Sequence, residues 1–137
     1  HKEETIVLAN GVFDILHKGH VELLSFAKSL GGRLVVAINS DRAVRELKGA
    51  KRPINSEIDR KAVLQAIQCV DEVVIFDDVS PTGLVAELQP QIVVKGGEWT
   101  ADEVRARDKV PQHIGVKVFP IVAGYSSSNT VRHIREG

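Results

Sequence analysis

The sequence predicts an α/β fold: an open parallel sheet of five strands with helices on both faces, built as one domain over residues 1–137. Three observations predict it. Short apolar runs rich in β-branched residues alternate with amphipathic stretches along the chain. The runs are apolar throughout rather than alternating, the mark of strands buried on both faces. Finally, 137 residues with 43% hydrophobic and 26% charged side chains suit one globular core, and no linker, repeat or low-complexity tract divides it.

The elements follow in order. TIVLAN (5–10) reads as the first buried strand, and HVELLSFAKSL (20–30) as a helix stopped by Gly31 and Gly32. RLVVAIN (33–39) is the second strand. Ser40 caps a short helix over DRAVREL, and residues 48–55 form a basic loop. A longer amphipathic helix runs from Ser56 to Val70, capped by Asn55 or Ser56. EVVIF (72–76) is the third strand. Ser80 caps the next helix, with Pro81 at its first position. QIVVK (91–95) is the fourth strand. Thr100 and Glu103 form a capping box that opens a short helix. VKVFPIV (116–122) is the fifth strand, and residues 126–136 close the chain as a helix.

Composition removes several classes of function. Eighteen basic residues balance eighteen acidic ones, which gives no electrostatic footprint for nucleic acid or a membrane surface. No apolar run approaches the roughly 18 residues of a membrane span, and no signal peptide is visible. The single cysteine, Cys69, sits in an apolar helical pattern and reads as a buried structural thiol, in keeping with a cytoplasmic protein. His1 and Lys2 carry no part of the argument.

In open α/β sheets ligands bind beyond the carboxyl ends of the strands, so the residues after each strand matter most. Gly11, Val12, Phe13 and Asp14 follow the first strand, then His17 and His20. Asn39, Ser40 and Asp41 follow the second; Lys95, Gly96, Gly97, Glu98 and Trp99 end the fourth; Gly124, Tyr125, Ser126, Ser127 and Ser128 follow the fifth. The basic loop, Lys48 to Arg52, can fold over the same rim. Glycines allow close backbone approach, and hydroxyls with free N–H groups at a helix start suit an anion. Together they describe a phosphate site. The usual signatures are absent: G-x-x-x-x-G-K-[ST], G-x-G-x-x-G after the first strand, G-x-S-x-G and H-E-x-x-H do not occur.

His17 and His20 have three readings. As zinc ligands they need further partners, and the only cysteine lies in a core pattern. As ordinary polar residues they simply begin a helix. As phosphate binders they lie three apart on one helix face, with Gly19 between them sparing room for an incoming phosphate.

The stretch GVFDILHKGH resembles the His-x-Gly-His signature of the cytidylyltransferase-like nucleotidyltransferases. LKGAKRPIN with Arg60, VVKGGEW and GYSSSNTVRHI resemble that superfamily's later motifs, in the right order, from about Ile6 to Ile134. Within it, VKGG and SSSN favour the D-glycero-β-D-manno-heptose 1-phosphate adenylyltransferases over the glycerol-3-phosphate cytidylyltransferases, which carry an arginine ahead of the Ser/Thr cluster where this chain has Ile121, Val122 and Ala123. Glu98-Trp99 and Ser127-Ser128 depart mildly from the heptose pattern.

The resemblance implies a Rossmann-like fold and nucleotidyl transfer: an acceptor phosphate attacks the α-phosphorus of ATP or CTP and pyrophosphate leaves. Positioning and charge neutralisation are then the work required, with Mg2+ bound through the nucleotide phosphates and no metal held directly by protein ligands. It implies catalytic roles for His17, His20 and Lys48. Gly11, Phe13, Asp14, Gly19, Lys95, Gly96, Gly97 and Ser126–Ser128 would bind nucleotide, and Asp41, Arg52, Arg60 and Trp99 the acceptor, a sugar 1-phosphate or an alcohol phosphate. A homodimer is implied as well. Each role has a plainer counterpart: Lys48 a solvated lysine, Asp14 a turn former, Arg60 a salt-bridging helix residue, the serines simple caps, Trp99 packing under a loop. His113 and His133 read as surface residues. A non-catalytic nucleotide-binding module on the same scaffold is the reading from another class.

Overall fold

The structure, a computed structural model, describes residues 5–120. Five strands, β1 (Ile6–Gly11), β2 (Arg33–Asn39), β3 (Glu72–Phe76), β4 (Ile92–Gly96) and β5 (Gly115–Phe119), form one parallel sheet in the order β3-β2-β1-β4-β5. The helices are α1 (Lys18–Ser29), α2 (Asp41–Lys48), α3 (Glu57–Gln65), α4 (Thr82–Leu88) and α5 (Ala101–Asp108). The expected closing helix and Ser126–Ser128 lie outside the described residues.

Alternate residues of each strand feed two cores, one on each face of the sheet. Val7, Ala9, Leu34, Val36 and Ile38 pack with Leu24 and Ala27 of α1 and Leu64 of α3. Leu8, Val35, Ala37 and Val93 pack on the other face with Val85 of α4 and Val104 of α5. This two-sided burial explains why the strands read as continuous apolar runs. Strand order reverses between β1 and β4, whose carboxyl ends carry Gly11 and Gly96; that switch point is where an open α/β sheet leaves a crevice.

Several boundaries differ from expectation. α1 starts at Lys18, two residues early, because His17 caps it. Ser56 caps α3, its hydroxyl accepting from the Asp59 N–H at 3.2 Å; Asn55 is used elsewhere. α3 ends at Gln65, so Cys69 lies in the following turn, partly buried against the core rather than inside a helix. Pro81 is the cap of α4 and not its first residue; the Ser80 hydroxyl pairs with Thr82 Oγ1 at 2.7 Å, which in turn donates to the Asp108 carbonyl. β5 starts one residue early, at Gly115, and ends at Phe119, short of the expected run. The Thr100–Glu103 capping box forms as expected, with bonds of 2.9 and 3.1 Å.

Candidate active site

At the switch point lies an open cleft of about 390 Å³. Gly11, Phe13, His20, Lys48, Lys95, Gly96 and Trp99, all expected at a site, line it. So do Val12 and Asn39, which the sequence placed at the strand ends without a role, and Asn10, Leu23, Leu47, Val79 and Arg107, which the sequence did not single out.

The two histidines are built into the start of α1. His17 Nδ1 accepts from the Gly19 N–H at 3.0 Å, and His20 Nδ1 accepts from the His17 N–H at 3.2 Å, a reciprocal capping box made by imidazoles. An Nδ1 that accepts carries a lone pair, so the proton of each neutral ring sits on Nε2. The rings lie 4.1 Å apart between centroids, tilted by 46°. Burial holds the His17 pKa below its ordinary value. Burial, and then the neighbouring His17, push His20 down to about 4. Both are therefore neutral donors at physiological pH. Gly19, buried in the first turn, supplies the N–H that fixes His17.

Phe13 holds this end of the helix in place. It is buried at a left-handed φ of 50°, and its ring lies 5.5 Å from that of His20. A Cβ on Gly11 would come within 3.1 Å of the Phe13 ring, so glycine there lets the ring fold back over β1. A left-handed phenylalanine costs backbone strain of a kind that concentrates at functional sites.

Three cations converge from three elements: Lys48 at the last turn of α2, Lys95 near the end of β4, and Arg107 in the last turn of α5. Burial is the main reason both lysines titrate below their ordinary value. Arg52 adds to the effect at Lys48 while Asp14 opposes it. At Lys95, Asp108 opposes it and Arg107 and Lys48 reinforce it. The Arg107 guanidinium stacks 4.6 Å above the Trp99 ring. Gly97, at φ 123°, makes the turn that brings Trp99 back; a Cβ there would meet Trp99 Cδ1 at 3.3 Å.

Of the other expected residues within the described range, His17, Asp14, Gly19, Asp41, Arg52, Arg60 and Gly97 do not line the cleft. Asp14 has no exposed side-chain surface. Its Oδ2 accepts from Ile54 N at 2.8 Å and Arg52 Nε at 3.2 Å, its Oδ1 from Asn55 N at 2.8 Å, and its carbonyl from Asn55 Nδ2. Its carboxylate is thus committed to holding the basic loop, and Arg52 is its counter-ion. Arg60 corrects the expectation of an acceptor ligand most clearly. Its side chain is wholly buried and donates to the carbonyls of Val12 (3.0 Å), Asn39 (2.7 Å) and Asn55 (3.0 Å) and to Asp41 Oδ1 (2.8 Å). It ties the ends of β1 and β2 to the loop and to α2. Asp41 is occupied in the same clasp, where Oδ1 also accepts from Glu57 N and its own N–H donates to Glu57 Oε1. His113 pairs with Gln89 at the surface, as expected. Among the described residues no group of three or more His, Cys, Asp or Glu side chains is arranged to hold a metal ion, and no helix is long and apolar enough to cross a membrane.

A parallel sheet with its cleft at the β1/β4 switch point and an imidazole-capped helix beside β1 defines a class, and the comparisons give it a name. The family model described as cytidylyltransferase-like matches residues 8–133, and the chain belongs to that nucleotidyltransferase family. Among its relatives are proteins named "Bifunctional protein HldE". That of Koribacter versatilis is 49% identical over 130 residues, covering 94% of this chain and 27% of the relative. That of Geotalea uraniireducens is 46% identical over 133 residues, covering 96% and 27%. The chain thus spans about a quarter of the length of these relatives. A solved structure described as the lipopolysaccharide core biosynthesis protein from Thermoplasma volcanium superposes with a TM-score of 0.72 at 31% identity, covering 88% of this chain and 98% of that one. A pantothenate synthetase from Thermus thermophilus shares the fold, with a TM-score of 0.57 at 20% identity over 88% of this chain and 56% of that one.

Proposed function

We propose that the chain transfers a nucleoside monophosphate, AMP from ATP in the first instance, onto a sugar 1-phosphate, with heptose 1-phosphate the favoured acceptor. The observation that carries the reading is the union of one neutral imidazole donor, His20, and three cations around one cleft. A phosphate oxygen of the acceptor, already ionised at neutral pH, forms the new bond to the α-phosphorus. The bond from that phosphorus to the bridging oxygen breaks, and pyrophosphate departs with the electron pair. No general base is needed, and the described residues that line the cleft include no base–nucleophile pair. Lys48, Lys95 and Arg107 offset the repulsion between the two anions. His20 donates from Nε2 to charge that grows on the leaving group, the kind of contact worth most in the transition state.

The lining of cations, amides and N–H donors fits phosphate oxygens better than a bare ion. Mg2+ bound to the nucleotide would supply further charge neutralisation at its phosphates, with Lys48, Lys95 and Arg107 facing the same group. The heptose preference is supported by the VKGG form of the β4 end and by the similarity to the lipopolysaccharide core biosynthesis protein of Thermoplasma volcanium. The expected homodimer belongs to the same proposal.

Pyrophosphate release with ATP or CTP, heptose 1-phosphate or glycerol 3-phosphate, and Mg2+ tests the reading. ATP with the sugar phosphate is expected to be the productive pair. Turnover confined to CTP and glycerol 3-phosphate would overturn the heptose reading, and tight nucleotide binding without turnover on any acceptor would make the chain a binding module.

A further inference from the structure

Asn10 is the penultimate residue of β1 and Asn39 the last of the neighbouring β2, and both are buried. Strand alternation puts them on the same face: Asn10 follows Leu8, and Asn39 follows Val35 and Ala37, all three in the core beneath α4 and α5. Their side chains do different things. The Asn39 carboxamide is committed, with Nδ2 donating to the carbonyl of Asp78 at 3.0 Å and reaching that of Val79 at 3.4 Å, which fastens β2 to the loop before α4. Asn10 is 5% exposed and lines the cleft, yet its Oδ1 is out of contact with solvent and has no hydrogen-bond partner among the described residues.

A buried amide oxygen without a donor destabilises the fold that contains it. Leucine, of nearly the same shape, would finish this apolar strand without that penalty. The cost therefore points to a ligand. Phosphate does not satisfy that oxygen, because ionised phosphate oxygens only accept. The amide oxygen needs a group that donates, and the carboxamide can turn about its sp3–sp2 bond at little cost to present it. The register of β1 on β4 pairs Ala9 with Val94, which sets Asn10 beside Lys95. A phosphate drawn to Lys95 would bring the rest of its molecule past Asn10.

We infer that Asn10 is a specificity-determining residue whose carboxamide accepts a hydrogen bond from a substrate hydroxyl in the cleft. The inference rests on the nucleotidyl-transfer reading. The hydroxyl belongs either to the acceptor sugar or to the ribose of the nucleotide, and the test separates the two. Sites built to bond a hydroxyl reject the analogue that lacks it, because the protein's polar group is then left unpaired.

Pyrophosphate release is measured for the wild type, Asn10→Leu and Asn10→Ser with the parent substrates, with singly deoxygenated acceptors, and with 2′-deoxy- and 3′-deoxy-ATP. In the wild type one analogue is expected to lose at least ~10-fold in kcat/KM. Asn10→Leu should lose a similar factor on the parent pair and show no further loss on that analogue; Asn10→Ser, which retains an acceptor, should recover part of it. The analogue that behaves so names the source of the hydroxyl. Thermal unfolding of Asn10→Leu should be no lower than that of the wild type, since an unpaired buried oxygen has been removed. An active wild type that discriminates against no analogue by more than about twofold overturns the inference by itself, even if a variant fails to fold. So does an Asn10→Leu protein equal to the wild type on the parent pair, or equally impaired on every analogue. A wild type silent with every substrate pair would sink the functional reading, and this inference with it.

Discussion

His17 and His20 cap the first helix for each other: His17 Nδ1 accepts from the Gly19 N–H at 3.0 Å, and His20 Nδ1 accepts from the His17 N–H at 3.2 Å. The structural bond and the chemical group thus occupy opposite sides of each ring. Glutamine at the third helical position also makes the return bond of a capping box. His20→Gln is therefore expected to fold much as the wild type while losing ~10²-fold or more in kcat, the loss usual for a donor aimed at developing charge. His20→Ala should lose both. Circular dichroism together with steady-state pyrophosphate release distinguishes them, and a His20→Gln enzyme with full kcat would remove the histidine from the chemistry.

The same pair gives the fold a pH dependence of definite sign. The His20 pKa is lowered from 6.5 to about 4 by burial and then by His17, and that of His17 is lowered by burial. Between about 4 and 6.5 the unfolded chain binds protons that the folded one does not, so stability rises with pH across that window and falls as pH drops through it. Thermal midpoints measured from pH 4.5 to 7.5 should climb and then level near pH 7, and the climb should be shallower in His20→Gln. A flat profile in the wild type would show that the rings are not held neutral.

Asp14 is expected to act on stability before activity. Its carboxylate accepts three hydrogen bonds from residues 52–55, and it is the ion partner of Arg52, a side chain only 11% exposed. Removing one member of a buried pair strands the other, typically at about 3–5 kcal/mol. Asp14→Ala should show a loss of that order in urea unfolding. Asp14→Asn, which keeps an acceptor oxygen, should lose less. An unchanged midpoint for Asp14→Ala would mean that the loop is held by other contacts.

Most of the strand and helix order was legible because the sheet is buried on both sides, and continuous apolar runs broken by caps state that directly. The lining of the cleft was legible where backbone need and chemistry coincide, as at Gly11, His20 and Lys95. It was hidden where a residue's pattern and its use diverge. Arg60 lies on an amphipathic helix among charged neighbours, and nothing in the spacing says that its guanidinium turns inward to three carbonyls. Arg107 sits in DEVRARD, which reads as a solvated charged face until Trp99 folds beneath it. Asn10 and Asn39 did leave a signal: each is a lone polar residue ending an apolar strand at the edge where ligands bind.

Arg60 separates a clasp from a ligand. A substrate contact would appear in KM, whereas a clasp appears in unfolding. Arg60→Lys retains the charge but cannot span Val12, Asn39, Asn55 and Asp41 at once. It should lose roughly 2–3 kcal/mol of stability by leaving buried carbonyls unpaired. At 15 °C, well below its midpoint, the folded fraction should keep its KM for both substrates within about threefold. A large KM change in a variant of undiminished stability would return Arg60 to the binding site.

Asp108 offers a measurement of the charge in the cleft. It is 1% exposed, and neither carboxylate oxygen has a hydrogen-bond partner among the described residues; the Arg107 Nε lies 3.8 Å away. It is also the group that opposes the lowering of the Lys95 pKa, against burial, Arg107 and Lys48. Replacing it by asparagine removes the one attraction that favours the ammonium, so Lys95 should lose its proton at a lower pH. If the charged lysine binds phosphate, the alkaline limb of kcat/KM must then move towards neutrality in Asp108→Asn, with the acid limb in place. Amine-selective labelling of Lys95 followed by mass spectrometry, run as a function of pH, reads the same shift without turnover. The two should move together. A labelling curve that moves while the activity profile stays fixed would show that Lys95 is near the substrate phosphate but does not hold it.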